Sequence, residues 1–511
     1  MKGLWRFPGG LRLAGAKGSS GDGPILPLAP PPRVYLPLRQ HVGAPARPVV
    51  EVGQAVARGE LVAEAGAFVS AAVHASIAGR VVEIGDHELP HPPGVAETCV
   101  VIAGEGGEEE ARAEVPLDPD EATVETLRER VRAAGIVGLG GAAFPSAAKL
   151  KPSRPIHTLV INGVECEPYI TCDDALMRHR PEAVIRGALV LLRLVAAERC
   201  LVAVEDNKPA AAAALREAVA ALAARSPEPV PDIAVVEVPT RFPAGGEKQL
   251  VWTLTGRAVP RGGLPYEVGV VCLNAGTTAA VDAAVHDGRP LVSRVVTVTG
   301  PGIRRPGNFE VPLGTPVRHL LEAAGGTTAK AVELVMGGPM MGRRLETADT
   351  MVVKGTNCIL VTPRPDIAPP RVMPCIRCGR CAAACPMNLL PQQLYWHARG
   401  RTFDKLEPYG LKDCIECGCC AVVCPSHIPL VSFFRYAKTE LADRERRRHR
   451  AEESRARTDA RNARLEQQRQ EREARKAARK AARARPRSAP ASDEAVEDTD
   501  AAPPRAAGGA S

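Results

Sequence analysis

Aromatic residues make up only 3% of this 511-residue chain, so its cores must rest on Val, Leu, Ile and Ala, which a hydrophobic content of 45% can supply. No run of about 18 uninterrupted apolar residues occurs, and no transmembrane helix is expected. The best candidate, 187–204, is broken by Arg193, Glu198 and Arg199. The N-terminus carries Lys2, Arg6, Arg12 and Lys17 without an apolar stretch, which argues against export. Lysine is absent between Lys17 and Lys149, so no lysine-borne lipoyl or biotinyl group can sit in that stretch. The Lys-Ser/Thr pair of a P-loop is missing after the glycine-rich turns. No nucleic-acid recognition module or aromatic platform is present either, which leaves nucleic acid without support as a partner.

Cysteine, by contrast, is plentiful. Fifteen cysteines without a secretory signal suggest a reducing compartment. Eight fall in two copies of one pattern, Cys375-x2-Cys378-x2-Cys381-x3-Cys385-Pro386 and Cys414-x2-Cys417-x2-Cys420-x3-Cys424-Pro425. This is the run with which bacterial ferredoxins hold 4Fe–4S clusters. In two-cluster ferredoxins the fourth cysteine of each run crosses to the other cluster. One set is therefore Cys375, Cys378, Cys381 and Cys424, and the other Cys414, Cys417, Cys420 and Cys385. Cys419 is surplus to the count. A pair of zinc sites is the rival reading, but zinc knuckles use paired C-x2-C units, not three cysteines at two-residue gaps with a trailing Cys-Pro.

The rest of the chain divides by pattern. Pro and Gly are dense through residue 48, and short apolar runs split by glycine follow, as in 49–62 and 73–81, so 1–117 reads as a β module. It resembles the barrel-sandwich fold of carrier domains, with His41 and His74 as packing or surface residues. Residues 118–290 alternate helical and strand patterns: a helix over 120–134, a strand Thr158–Asn162, a helix over 181–197, strands Cys200–Val204 and Ile233–Val238 with an Ala-rich helix 209–225 between them, and a strand Val268–Leu273. That alternation predicts a parallel sheet covered on both faces, with ligands bound beyond the strand ends. Glycine-rich and polar segments collect there, namely 138–149, 162–169, 205–208, 243–249 and 274–277. Residues 291–362 read as a small β domain with a short helix, in which Met336, Met340 and Met341 are taken as core. A Pro-rich linker over 363–374 leads into the cluster domain, 363–437. The tail, 438–511, is a charged helix running into an Ala/Pro/acidic disordered end. Within it, 438–487 holds 19 Lys and Arg against 9 Asp and Glu, so the net charge of +8 is not spread evenly and the folded part is close to neutral.

The ordered stretches Gly138–Pro145, Val160–Asp174, Glu205–Pro209, Gly245–Leu250, Arg304–Asn308, Gly314–Leu321 and both cysteine runs identify a resemblance to the RnfC family of the Rnf electron-transport complex. The resemblance implies an α/β unit similar to the flavin- and NADH-binding subunit of respiratory complex I, and a β-grasp domain of the soluble-ligand-binding type over 291–362. It implies FMN and NAD(H) besides the two clusters, with Gly138, Gly140, Gly141, Phe144, Lys149, Asn162, Glu165, Gly246, Glu247, Asn274 and Thr277 lining the flavin site. Phe144 would stack on nicotinamide, Glu167 would meet the NADH ribose, and Lys208 is a weaker candidate. The implied partners are the other members of the Rnf complex, its integral membrane proteins and the ferredoxin-type RnfB among them, with the chain peripheral on the cytoplasmic side of the bacterial inner membrane. Electron transfer between NAD(H) and ferredoxin would be coupled to ion movement through those membrane proteins. One departure stands out. The family pattern Gly-Gly-Ala-Gly-Phe-Pro has Ala143 in place of its last glycine, and a positive φ there would strain alanine by roughly 1 kcal/mol. A pure iron–sulfur relay without a nucleotide site is the rival function. A basic-tail binding protein with structural clusters is another.

Overall fold

A computed structural model describes residues 3–90, 96–106, 110–111, 114–225, 231–329, 331–363 and 371–484. Most of the expected linker 363–374, and the tail end expected to be disordered, lie outside these residues. The chain divides into two compact units, Met1–Lys438 and Thr439–Ser511.

Two small antiparallel sheets form the β module. One joins Arg33–Pro37, Ala96–Gly104, Gly79–Glu88 and Ala55–Val56, and the other Arg47–Pro48, Leu61–Glu64 and Val73–His74. Their inner faces bury Val34, Leu36, Val62, Val73, Val81, Val100 and Ile102, small aliphatics in place of the scarce aromatics. The N-terminal segment departs from the single module expected over 1–117. Ile25–Pro27 pairs in parallel with Gly307–Pro312 of the β-grasp sheet. Residues before it thread between the α/β domain and the cluster domain, where the Gly10 N–H donates to the Ala384 carbonyl (3.0 Å), and Leu11 and Phe242 exchange backbone bonds of 2.8 Å. Proline and glycine density marks extended chain but does not show where that chain docks.

His41 and His74 are buried packing residues. The Ala71 N–H donates to His41 Nε2 at 3.0 Å. Burial, reinforced by the Lys354 ammonium, pushes the His74 imidazole down from 6.5 to about 3. Between these values the unfolded chain binds a proton that the folded chain refuses. Stability is therefore full above about pH 6.5 and falls as the pH drops toward 3, by about 1.4 kcal/mol per unit for one proton. His74→Gln is expected to lose less stability than the parent between pH 7 and pH 5, as read by urea unfolding.

The α/β domain holds four parallel strands in the order Asp232–Val238, Arg199–Glu205, Thr158–Gly163, Val270–Asn274. Helices Pro181–Val195, Pro209–Arg225 and Ala275–His286 cover it, and Leu127 and Val131 anchor Val124–Ala133 as the spacing predicts. The β-grasp domain is a mixed sheet of Ser293–Thr299, Gly307–Pro312, Ala331–Met336, Arg343–Leu345 and Cys358–Pro363, edged by Ile25–Pro27 and packed on Val317–Ala323. Met336 lies in its core, whereas Met341 is 42% exposed, contrary to its expected core position.

The cluster domain repeats its backbone as well as its sequence. Arg377 and Glu416 both take φ 57°, Gly379 and Gly418 take φ 75° and 81°, and Asn388 and His427 take φ 52° and 50°. Each pair occupies the same place in its cysteine run. Short helices Arg380–Ala383 and Cys419–Val422 match likewise. The helix Leu430–Ala484 closes this domain with Leu430, Phe434 and Ala437 buried. Glu416, beside Cys417, pairs with Arg435 at 2.8 Å and Lys438 at 2.9 Å. From Thr439 the same helix forms the second unit, polar on every side, with i,i+4 pairs such as Arg448–Glu452 and Arg469–Glu473. Among the described residues no helix is long and apolar enough to cross a membrane.

Candidate functional site

The strand order reverses between Thr158–Gly163 and Val270–Asn274, and open α/β sheets bind ligands at that switch point. Asn162 and Asn274 are register partners there. Each closes its own local turn. Asn162 Oδ1 accepts the Val164 N–H (3.0 Å), while its Nδ2 donates to the Gly245 carbonyl (2.9 Å) and draws in the second glycine turn. Asn274 caps Ala275–His286, its Oδ1 accepting from the N–H groups of Gly276 (2.9 Å) and Thr277 (3.3 Å). Its Nδ2 donates to Asp173 Oδ2 (2.6 Å).

The first glycine loop folds over this crevice. It is closed by the Gly138 N–H donating to the Phe144 carbonyl (2.8 Å) and the Ala143 N–H to the Gly138 carbonyl (3.1 Å). Thr277 Oγ1 accepts the Leu139 N–H (2.9 Å). A side chain at Gly140 would come 3.2 Å from Asn274 Cβ, so glycine is what lets loop and crevice approach. The N–H groups of Gly140 and Gly141 donate to no acceptor among the described residues, and Gly141 has a φ of 101° with open space beside it. Such free, clustered N–H groups suit an anion such as a phosphate. Lys149 pairs with Glu247 across the crevice. Phe144 presents a ring 37% exposed.

Ala143 does take a positive φ, 45°. Ala143→Gly is expected to raise stability by about 1 kcal/mol or somewhat less, since glycine also costs more to order, and to leave FMN retention equal or better. Thermal unfolding and bound-flavin absorbance check both.

Glu165 anchors a buried charge cluster under the crevice. Its Oε1 accepts the Asp173 N–H (2.9 Å), and the Lys208 ammonium lies 3.3 Å from its Oε2 and 3.2 Å from Glu205 Oε2. Lys17, from the N-terminal segment, donates to the Ile170 carbonyl (2.7 Å) and to the Glu165 carbonyl. Burial pushes the Glu165 carboxyl up, but Lys208 and Lys17 outweigh it and hold it below the ordinary range. Burial, followed by Glu165, pushes Asp173 up to about 6.

Glu167 is held by the β-grasp domain. Its Oε1 accepts the N–H groups of Met340 (2.7 Å) and Met341 (2.9 Å), and its side chain sits on Gly338. It ties the α/β domain to the β-grasp loop. The contacts above bring Gly138, Gly140, Asn162, Asn274 and Thr277 together and pair Lys149 with Glu247, while Gly246 stands next to Glu247 as the N-cap of the helix Glu247–Thr255. Lys17, Asp173 and Arg294 belong to the same neighbourhood and are not signalled as site residues by the sequence: Lys17 and Arg294 are single cations outside any motif, and Asp173 lies at the end of the Val160–Asp174 stretch without a role of its own there.

In the cluster domain one cavity is lined by Cys385, Cys414, Cys417 and Cys420, with Ile415, Leu389 and Phe434 around them. This is the crossed set, three thiols from the second run and one from the first. Four thiols converging on one cavity fit a cubane cluster. Cys419 is fully buried beside Phe242 and Ala384, a core residue and not a fifth ligand to that cavity. On the other run Cys378 is exposed and Cys375 and Cys381 half-buried.

Comparison with known proteins agrees with this architecture. Residues 5–107 match the RnfC barrel sandwich hybrid domain, 131–283 the Nuo51 FMN-binding domain, 295–344 the SLBB domain and 374–428 a 4Fe–4S dicluster domain. The chain thus carries an FMN-binding domain and a two-cluster domain, which does not favour a relay lacking a flavin site. It is 47% identical over 483 residues to the C subunit of the ion-translocating oxidoreductase complex of Pseudomonas aeruginosa, covering 92% of this chain and 60% of that protein. It is 42% identical over 468 residues to the protein of the same name from Salmonella arizonae, covering 91% and 68%. The chain therefore spans about three fifths to two thirds of the length of these relatives. A chain of the NAD+-reducing NiFe hydrogenase in its H2-reduced state aligns with a TM-score of 0.45 and 18% identity, covering 60% of this chain and 62% of that one. The chain belongs to the RnfC family, the C subunits of ion-translocating oxidoreductase complexes.

Proposed function

We propose that this chain is the peripheral redox subunit that exchanges electrons between NAD(H) and a ferredoxin within an ion-translocating complex, through FMN and two 4Fe–4S clusters. FMN supplies the conversion between the two electrons of a hydride and the single electrons a cluster takes. The residues of this chain do the rest. Gly140 and Gly141 offer N–H groups to the phosphate, Asn162 and Asn274 shape the crevice floor, and Lys149 with Glu247 borders its mouth.

One observation carries the reading. The helix Glu247–Thr255 starts at the crevice, and Gln249, about 3 Å further along it, donates through Nε2 to the Pro386 carbonyl (3.4 Å) and to Met387 Sδ (2.9 Å). Pro386 follows Cys385, so the flavin turn and the cavity of Cys385, Cys414, Cys417 and Cys420 share a wall. That cluster is then the first to exchange with the flavin. The cluster of Cys375, Cys378, Cys381 and Cys424, with its exposed Cys378, is the outlet to a partner such as the ferredoxin-type RnfB. No helix among the described residues is long and apolar enough to cross a membrane; in this reading translocation is the work of integral membrane partners, and the chain sits on their cytoplasmic face.

The test is anaerobic reduction of the reconstituted chain by NADH, followed by flavin absorbance and cluster EPR together. Flavin bleaching followed by reduced-cluster signals is the expected outcome. Clusters that dithionite reduces and NADH does not, with FMN bound, would move the NADH site to another member of the complex.

A further inference from the structure

Arg294 is the second residue of a strand of the β-grasp domain, Ser293–Thr299, yet its guanidinium ends at the flavin loop. It is 6% exposed and forms no ion pair among the described residues. One terminal nitrogen donates to the Leu139 carbonyl (3.2 Å) and the other to the Lys354 carbonyl. Burial pulls its basicity down, while Cys172 and Asp173 beside it raise it. Burying a guanidinium is costly unless its donors are satisfied, and with Nε donating to the neighbouring Val295 carbonyl (3.4 Å) all three nitrogens of this residue are held by backbone carbonyls.

The position of those carbonyls gives the contact its meaning. Leu139 is the residue whose N–H is taken by Thr277, so both polar groups of this residue are tied, one to each domain. A trans peptide is planar, with its C=O and the following N–H pointing in opposite directions. Fixing the Leu139 carbonyl on Arg294 therefore aims the Gly140 N–H away from Arg294, and that N–H has no protein acceptor among the described residues. The second contact acts on the same loop. Lys354 precedes Gly355, whose Cβ position lies 3.6 Å from the Ala143 methyl, so the segment held by Arg294 backs the strained corner at Ala143.

We propose that Arg294 is a positioning residue for the flavin: from the β-grasp domain it orients the Leu139–Gly140 peptide so that the loop meets the flavin phosphate, making that domain part of the cofactor site and not only a docking module. The proposal rests on the flavin reading of the crevice given above. Two features set it apart from a plain structural pin. The guanidinium bridges two separate loop segments, which an ammonium cannot do with the same fixed fork. Its nearest loop target is also the peptide that leads into the unengaged N–H groups.

The experiment uses the full chain, reconstituted with iron, sulfide and FMN, as wild type, R294M and R294K. FMN dissociation and the flavin midpoint potential are measured, with thermal unfolding and cluster EPR as controls. In R294M, FMN affinity is expected to fall by at least about tenfold and the potential to shift, with cluster signals unchanged. R294K is expected to recover part of the affinity. Should R294M fail to fold, R294K alone decides, since it keeps the charge and loses the planar fork: weakened FMN in a folded R294K upholds the proposal. Wild-type affinity and potential in a folded R294M, or in R294K where R294M does not fold, would overturn it while leaving the flavin reading intact. A wild-type chain that takes up no FMN would overturn the flavin reading, and the proposal with it.

Discussion

Cys385→Ser is expected to abolish the cluster of the other cysteine run while sparing its own. Iron and sulfide should fall by about half, and the surviving EPR signal should be that of the cluster held by Cys375, Cys378, Cys381 and Cys424. The cavity shared by Cys385 with Cys414, Cys417 and Cys420 makes this direction specific. If each run instead held its own cluster, the same substitution would destroy the site of Cys375, Cys378 and Cys381. Comparison with Cys378→Ser separates the two arrangements. Under the crossed arrangement Cys378→Ser and Cys385→Ser leave different survivors, and under local ligation they leave the same one. The functional effect should differ as well. Losing the cluster beside Gln249 breaks the path at the flavin, so NADH should bleach FMN without reducing the remaining cluster. Losing the outer cluster should leave flavin-to-cluster transfer intact and stop onward transfer to an external acceptor.

That arrangement shows how unevenly the sequence reveals its structure. The cysteine runs were fully legible, because ligand spacing is a local constraint that metal chemistry imposes on adjacent residues. The alternation of apolar strands and helices in 158–274 was legible for the same reason, and the register of Asn162 against Asn274 follows from a parallel sheet with few irregularities. Contacts that cross domains were not. Ile25–Pro27 is three residues long and joins a sheet almost three hundred residues away, and nothing in its composition names that partner. Glu167 falls in a motif, yet nothing in that motif names the Met340 and Met341 amides that donate to its Oε1. Lys17, Arg294 and Lys354 are isolated cations in unremarkable segments. Each is aimed at backbone carbonyls of another element, Lys354 Nζ reaching those of Ala72 and Gly135 at 2.7 Å. Side chain to carbonyl contacts leave no pairing signature in a single sequence, because every residue offers the acceptor.

The largest stability effect is expected at Lys208. Burial disfavours its charge, yet Glu165 and Glu205 hold its ammonium above the usual range. All three side chains are at most 5% exposed. Lys208→Met keeps much of the volume and removes the cation, leaving Glu205 with no ion-pair partner among the described residues and Glu165 with Lys17 on its backbone carbonyl. Breaking a buried pair in this way costs about 3–5 kcal/mol. The pH dependence supplies the check on mechanism. In the parent, Glu165 has a folded value below its unfolded one, so its contribution is present above the ordinary carboxylate range and is lost as the pH falls through the folded value. In the variant the main counterweight to burial is gone, and the folded value of Glu165 should rise past the unfolded one. The sign then reverses: the variant should be most impaired at neutral pH and above, and should regain stability relative to the parent as the pH falls and a buried carboxyl takes a proton. Adding Glu205→Gln to Lys208→Met should restore part of the loss at pH 7 by removing the stranded charge. A loss that is independent of pH and unrelieved by Glu205→Gln would mean that Lys208 acts through packing of its methylenes and not through its charge.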